Sequence, residues 1–341
     1  MRKLRRGSTS TVELRSPPLS KSELLASCKS FQTGRLLGNN GYRMGRHISG
    51  GATGDVFIGA AAPNCAAFGD LLGADGAPRE VALKQIKSSS ASNQRQLQQE
   101  IVAVFQSRLK YAEETNNPQS PGHPNIVAYL DWFGGPAGVD REVYLVMELC
   151  QVNLNDIIFT AGSMRSQYER QMNLLRKSNS GPVGRLSQTP SAAESKRIVP
   201  VSDPSAYRFT EREIVKVLRQ MLSALLFLNQ QGLAHRDVKA ENILWAESSP
   251  EGTYKLADFG TAAFFSSLGP GGAPPEPAPA SDGRRADDAG TLWIMAPELL
   301  GRRPHGLNCD VWSLGVVLFE VVSLGKPFNS KELLAYRNSP E

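Results

Sequence analysis

The eight residues His235-Arg236-Asp237-Val238-Lys239-Ala240-Glu241-Asn242 constrain this chain more than any other stretch. They follow a segment whose apolar residues Ile214, Leu218, Met221, Leu222, Leu225 and Leu228 approximate one helical face. Leu256-Ala257-Asp258-Phe259-Gly260 and Ala296-Pro297-Glu298-Leu299 come after them, and Val81-Ala82-Leu83-Lys84 lies far upstream. Any one of these is cheap by chance. The four together, in this order and at these intervals, are not.

Around them the apolar periodicity is legible. Asp55–Gly59, Val81–Ile86 and Val143–Met147 read as short strands. Leu97, Ile101, Val104 and Leu109 approximate one face of a helix. A strand-rich first part followed by a helix-rich second part predicts two lobes with a cleft between them. Three segments read as inserted loops. Ala60–Pro78 is rich in Ala and Gly, and Gly162–Ala206 is rich in Ser, Gln, Asn and Arg, with a short helix allowed around Met164–Lys177. Leu268–Asp287 holds five prolines and four glycines, which can neither keep a helix nor enter a sheet. None repeats another, which argues against a solenoid.

The net charge of +5 resides in residues 1–30, which carry seven Lys/Arg against two Glu; the remaining 311 residues balance. A nucleic-acid-binding domain shows its basic excess on the folded part, so no nucleic-acid partner is expected. Residues 1–30 contain no apolar run of signal-peptide length and read as a disordered basic tail, with an organelle transit peptide as the alternative. The longest apolar stretches, Met221–Leu228 and Val316–Val322, are far short of the roughly 18 residues that cross a bilayer, so no transmembrane segment is expected. Cys28, Cys65, Cys150 and Cys309 form no CxxC pair, which speaks against a zinc cluster or disulfide scaffold and for a reducing, cytoplasmic setting.

In Ser49-Gly50-Gly51-Ala52-Thr53-Gly54-Asp55-Val56 the glycines let a strand–turn–strand approach phosphates, with backbone N–H groups as anion donors. Alone this is weak, since any hairpin turn can be glycine-rich. Lys84 sits in the middle of an apolar strand. Val81 and Leu83 should share one face, and Ala82 and Lys84 the other. A small residue beside the ammonium leaves room for a flat ligand with phosphates near Lys84. A buried cation requires an anionic partner, and Glu100 on the following helix is best placed.

The combination of motifs matches the protein-kinase signature set. From about Tyr42 to Phe328 the chain resembles the eukaryotic protein kinase family, including His123-Pro124-Asn125-Ile126-Val127 before a strand and Asp310-Val311-Trp312-Ser313-Leu314-Gly315 on a helix. The resemblance implies an α+β, bilobal protein-kinase fold: a basic tail over 1–41, a β-rich N-lobe over 42–147, a hinge over 148–154 and a helical C-lobe over 155–341 with inserts at 162–206 and 268–287. It implies ATP and Mg²⁺ as cofactors and a protein substrate with a Ser/Thr acceptor. Ser49, Gly51, Gly54 and Val56 would cover the phosphates, and Lys84, oriented by Glu100, would hold the α- and β-phosphates. Asn242 and Asp258 would bind Mg²⁺, which suits hard oxygen donors. Asp237 would accept the proton of the substrate hydroxyl or orient it, and Lys239 would neutralise charge on the γ-phosphate. Adenine would lie between Val56 and Ala82 above and Leu244 below, bonded to the backbone of Glu148-Leu149-Cys150, with Met147 behind. Cys150 itself reads as an ordinary buried thiol.

Lys239, two residues after Asp237, and Gly290-Thr291 ahead of Ala296-Pro297-Glu298 are placed as in serine/threonine kinases. Gly290–Glu298 and Tyr129 look like the mitogen-activated kinase kinase kinases, while His235–Asn242 looks equally like other serine/threonine groups. Arg236 implies an upstream kinase acting on the activation segment, Asp258–Glu298, with Ser266, Ser267 and Ser281 as candidates. Two features depart from the pattern. Ser49 stands where the first glycine of the phosphate loop falls. Only 31 residues follow Asp310, so the C-lobe is expected to be truncated, its last helices missing, with Glu298 lacking its Arg partner and apolar surface uncovered. These keep open a non-catalytic kinase-like scaffold or ATP-binding module. Against it, Lys84, Glu100, Asp237, Lys239, Asn242 and Asp258 are all present.

Overall fold

Alternation along three strands and one long amphipathic helix organises the molecule. The computed structural model describes residues 42–51, 54–61, 80–87, 91–118, 120–134, 142–179, 208–247, 251–265, 291–301, 303 and 305–338. The tail over 1–41, the glycine- and proline-rich inserts over 62–79 and 268–287, the segment 180–207 and the serines Ser266, Ser267 and Ser281 lie outside the described residues.

The first lobe is a five-stranded antiparallel sheet in the order β1-β2-β3-β5-β4. Its strands are β1 (Tyr42–Gly51), β2 (Gly54–Ala61), β3 (Glu80–Lys87), β4 (Tyr129–Gly134) and β5 (Glu142–Glu148). Successive side chains point to opposite faces. Val81 and Leu83 therefore join Tyr42, Phe133, Tyr144 and Val146 in one small cluster, while Ala82, Leu145 and Met147 enter the main core. Helix α1 (Ala91–Glu114) packs Leu97, Ile101 and Val104 into that same core, with Leu109 partly buried against it.

The second lobe contains α2 (Leu154–Asn179), α3 (Glu211–Gln230), α4 (Pro297–Leu300), α5 (Cys309–Ser323) and α6 (Ser330–Asn338). Short strands β6 (Val152–Asn153), β8 (Ile243–Ala246) and β9 (Thr253–Leu256) form one sheet, and β7 (Leu233–Ala234) pairs with β10 (Ala263–Phe264). A capping box starts α3: the Thr210 hydroxyl accepts from the Glu213 N–H at 3.3 Å, and Glu213 Oε2 accepts from the Thr210 N–H at 2.7 Å. The helix buries Val217, Met221, Ala224, Leu225, Phe227 and Leu228. Leu222, expected on that face, is 42% exposed. At about 100° per residue it lies roughly 140–160° around the helix from Val217 and Ala224, the centre of the buried stripe, and so faces away from the core.

The helix allowed around Met164–Lys177 is present and longer, because residues 162–179 continue α2. Asn153 Oδ1 accepts from the Asp156 N–H at 2.8 Å at the start of this helix. Met, Arg, Gln, Glu, Leu and Lys then fill 164–177, and their helix propensity outweighs the polarity that reads as a loop. On α5, Leu314, Val316, Val317 and Val321 are buried, whereas Val311, Trp312, Phe319 and Val322 are exposed. No helix among the described residues is long and apolar enough to cross a membrane.

The lobes are stitched together through backbone. The Val127 N–H donates to the Leu256 carbonyl and the Leu256 N–H to the Asn125 carbonyl, each at 2.9 Å, so the segment before β4 runs beside β9. This registers the strand that leads into Asp258 against the first lobe. Met221→Ala, at a fully buried position of α3, should lower the unfolding free energy by about 2–5 kcal/mol. Leu226→Ala, 62% exposed on the same helix, should stay within about 0.5 kcal/mol. Urea denaturation of the two variants checks this, and equal losses would contradict the assigned face.

Candidate active site

The segment leaving β7 is pinned before it carries any chemistry. The backbone N–H groups of His235 and Arg236 donate to Oδ2 and Oδ1 of Asp310, each at 2.7 Å. Asp310 is buried in the first turn of α5. Burial pushes its carboxyl up from the usual range, and the surrounding His235, Arg236 and N–H groups oppose this. The Asp237 N–H donates to His235 Nδ1 at 3.3 Å, so Nε2 carries the ring proton and donates to the Ala257 carbonyl at 3.0 Å. Arg236 adopts φ 64°, a region that non-glycine residues enter only when held there. Asp310 supplies the hold.

Asp237 follows, with three donors on its carboxylate. Oδ1 accepts from the Thr291 N–H at 3.0 Å. Oδ2 accepts from Lys239 Nζ at 2.7 Å and from Asn242 Nδ2 at 3.1 Å. Lys239 Nζ also donates to Thr291 Oγ1 at 2.9 Å, closing a ring of carboxylate, ammonium and hydroxyl. Asn242 ends the 3₁₀ turn Ala240–Asn242. Both of its side-chain bonds to Asp237 use Nδ2, which turns the amide oxygen the other way. The Ala257 N–H donates to the Asn242 carbonyl at 2.9 Å, setting Asn242 alongside Asp258.

Across the cleft, Lys84 is 5% exposed on β3. Its Nζ lies 2.7 Å from Glu100 Oε1 on α1 and 2.9 Å from Asp258 Oδ1 in the second lobe. Burial opposes the Lys84 charge, but the two carboxylates lift its pKa above the ordinary lysine value. Burial raises the Glu100 carboxyl, with Lys84 pulling it back. For Asp258, burial would raise the pKa, but Lys84 holds it down to about 2, and the Gly260 N–H adds a bond. Asp258 also carries φ 64°.

Asp258 and Asn242 offer carboxylate and amide oxygens, the hard donors that Mg²⁺ takes in ones and twos while keeping water and phosphate oxygens for the rest. They fit that ion. Above them, β1 and β2 form a hairpin in which Ser49 pairs with Val56 and Gly51 with Gly54. Ala52 and Thr53 lie outside the described residues. Gly54 has φ 136°, and a Cβ there would collide with the Gln85 carbonyl, so the glycine is required by the neighbouring strand as well as by the turn. Ser49 pairs with Val56 directly after a shift in the β1–β2 register at His47.

Val56, Ala82, Met147, Leu149, Cys150 and Leu244 belong to one apolar cluster that runs from the sheet across the lobe connector to β8. Glu148 Oε1 accepts from the Ala128 N–H and from Lys255 Nζ, each at 2.7 Å. Its side chain is thereby committed, and so is its N–H, which donates to the Ala128 carbonyl at 3.0 Å. Cys150 is half-buried; burial, then the Glu148 charge, push its thiol up to about 12. An inert thiol, as expected, is the result.

The sequence-predicted residues Lys84, Glu100, Asp237, Lys239, Asn242 and Asp258 therefore converge into two linked clusters. Three partners were not foreseen. Tyr129 donates its hydroxyl to Glu100 Oε1 at 3.4 Å, Asp310 anchors the backbone of His235 and Arg236, and Lys255 holds Glu148. Lys255 had a signal, a charge between the apolar Tyr254 and Leu256, as Lys84 has in β3. Tyr129 and Asp310 belong to motifs the sequence shows, but their bonds span 29 and about 75 residues, so their partners are not legible locally.

Residues 194–339 match the family model of the protein kinase domain. The chain is 38% identical over 132 residues to the serine/threonine-protein kinase PAK mbt of Drosophila melanogaster, covering 38% of this chain and 18% of that protein. It is 33% identical over 136 residues to MAP kinase-activated protein kinase 2 of Drosophila melanogaster, covering 40% and 34%. With the serine/threonine-protein kinase STE20 of Saccharomyces cerevisiae it shares 37% identity over 119 residues, covering 35% and 11%. The chain thus spans between about a tenth and about a third of the length of these curated relatives. Its two-lobed α+β architecture is the protein-kinase fold.

Because the Asp258 pKa is depressed in the folded state, its ion pair contributes fully above the unfolded value of about 3.9 and is lost as pH falls towards 2. Asp258→Asn should cost about 1–3 kcal/mol of stability at pH 7, and the gap to the wild type should close between pH 4 and pH 2. Denaturant titrations across that range check it; a gap independent of pH would rule out the pair as its source. Cys150 should resist iodoacetamide at pH 8 in the folded chain and react on unfolding. Peptide mass mapping reads this, and rapid native labelling would refute the raised thiol pKa.

Proposed function

We propose that this chain is an ATP-dependent protein serine/threonine kinase, which transfers the γ-phosphoryl group of ATP to Ser/Thr hydroxyls of proteins in a signalling pathway. The observation that carries this reading is the Asp237 carboxylate, held by Lys239, Asn242 and Thr291 and facing a lobe whose Lys84 is tied to Asp258.

Phosphoryl transfer asks the protein for positioning and charge neutralisation more than for covalent chemistry. Lys84, kept protonated by its two carboxylates, is placed to meet the α- and β-phosphates as the β1–β2 hairpin closes over them. Mg²⁺, bound at Asp258 and Asn242 together with ATP, would supply charge neutralisation on the phosphate oxygens. Asp237 orients the acceptor hydroxyl and takes its proton as the hydroxyl oxygen bonds to the γ-phosphorus and the bond to the ADP oxygen breaks. Lys239, already bonded to Asp237, neutralises the charge on the transferring group. The apolar walls of Val56, Ala82 and Leu244 suit a flat purine, with the 148–150 backbone along its edge.

Serine/threonine specificity rests on Lys239 and Thr291, whose mutual bond frames the acceptor side of Asp237. The finer likeness to mitogen-activated kinase kinase kinases rests on Gly290–Glu298 and Tyr129 alone, and the curated relatives matched carry other names. Control by an upstream kinase is part of the proposal. Arg236 Nε donates to the Thr261 carbonyl at 2.7 Å, which places its guanidinium beside the start of the activation segment, where a phosphate would pair with it. A cytoplasmic location belongs to the same proposal.

Phosphate transfer from Mg-ATP to a generic Ser/Thr protein, by wild type and Asp237→Asn, tests the reading. The variant should lose about 10²–10⁴-fold in kcat and keep its ATP affinity. Full activity in the variant would overturn the role of Asp237. A folded, ATP-binding wild type that transfers nothing would leave the scaffold reading in its place.

A further inference from the structure

Thr291 bonds through both its N–H and its hydroxyl to the Asp237–Lys239 pair, so its position sets the acceptor side of the site. The residues after it, Leu292–Ile294, form a single 3₁₀ turn. One such turn has too few hydrogen bonds to hold itself and must be fixed from outside. The Ile294 end is fixed by α5: Ile294 is fully buried and its carbonyl accepts from Ser313 Oγ at 2.8 Å. The Trp293 side chain, in the middle of the turn, meets a different partner. Lys326 Nζ sits 3.5 Å from the centre of its indole ring.

Lys326 reaches that ring because of how α5 ends. Leu324 takes φ 58° and closes the helix with its N–H on the Glu320 carbonyl. Ser323 Oγ then brackets Gly325, accepting from its N–H at 3.2 Å and donating to its carbonyl at 3.0 Å. Pro327 restricts Lys326 to extended backbone.

We infer that Lys326 is a positioning residue for the acceptor site: its ammonium, seated on the Trp293 ring, fixes the Leu292–Ile294 turn and through it Thr291 against Asp237 and Lys239. This rests on the kinase reading above and adds to it a residue that touches neither nucleotide nor acceptor. An acceptor polypeptide with its hydroxyl at Asp237 must pass Thr291 and this turn, whereas ATP lies on the Lys84–Asp258 side. Loosening the turn therefore weakens the acceptor and spares the nucleotide.

Lys326→Met and Lys326→Arg, assayed in the full chain, test it. Lys326→Met should raise the acceptor KM by about two- to five-fold, the usual worth of an exposed cation–π contact, with the KM for ATP unchanged. Lys326→Arg should restore the wild-type value, since a guanidinium also stacks on indole. Trp293→Leu should act like Lys326→Met, and the double variant should be no worse than either alone. Amide hydrogen exchange over 292–295 should quicken in Lys326→Met, whether or not the chain transfers phosphate. A wild-type acceptor KM and unchanged exchange in Lys326→Met would overturn the inference, as would additive effects in the double variant. A wild type that transfers nothing would instead overturn the kinase reading.

Discussion

Three charges meet where the lobes face one another, and much of the molecule exists to make that tolerable. Lys84 comes from β3, Glu100 from α1 and Asp258 from the stretch after β9. Removing a lone ammonium from water costs several kcal/mol, and a buried pair repays this only with close geometry and further hydrogen bonds. Here the geometry is close, and Tyr129 adds its hydroxyl to Glu100. The arrangement ties β3, α1 and the stretch after β9 together, so the sheet of the first lobe and strands β8 and β9 of the second are positioned by the same set of contacts. It also fixes the protonation states: Lys84 stays charged and Asp258 stays ionised far below neutrality.

A second buried carboxylate plays the corresponding role within the helical lobe. Asp310 accepts two consecutive backbone N–H groups and so sets the path of the chain just before Asp237. The αL conformations of Arg236 and Asp258 are both met at this junction. Each costs of order 1–3 kcal/mol and survives only when its surroundings over-determine it. For Arg236 the surroundings are Asp310 and the Thr261 carbonyl; for Asp258 they are Lys84 and the Gly260 N–H. Strain is thus placed beside the groups that the proposed chemistry uses, where the chain must leave regular structure to present side chains into a cleft.

α5 connects these themes. Its first turn holds the His235–Arg236 backbone through Asp310, its middle holds the Leu292–Ile294 turn through Ser313, and its exit reaches the same turn again through Lys326. One rigid element therefore references both sides of the acceptor position, which allows two residues more than fifty apart in sequence, Asp237 and Thr291, to share a hydrogen bond of 3.0 Å.

The strands β2, β3 and β5, the buried stripes of α1 and α3, and the six polar residues of the site were legible in the sequence, because periodicity and short motifs are local properties. Period-two alternation told Ala82 and Lys84 from Val81 and Leu83 before any neighbour was known. The short helix allowed around Met164–Lys177 runs through 162–179 as the end of α2, and periodicity put Leu222 on a face whose centre lies elsewhere. Tertiary structure alone decided that Glu148 turns its carboxylate to Lys255, that Tyr129 supports Glu100, and that Lys326 meets Trp293. Each of these joins groups distant in the chain, and the contact energy that selects them exists only once the chain has folded back on itself.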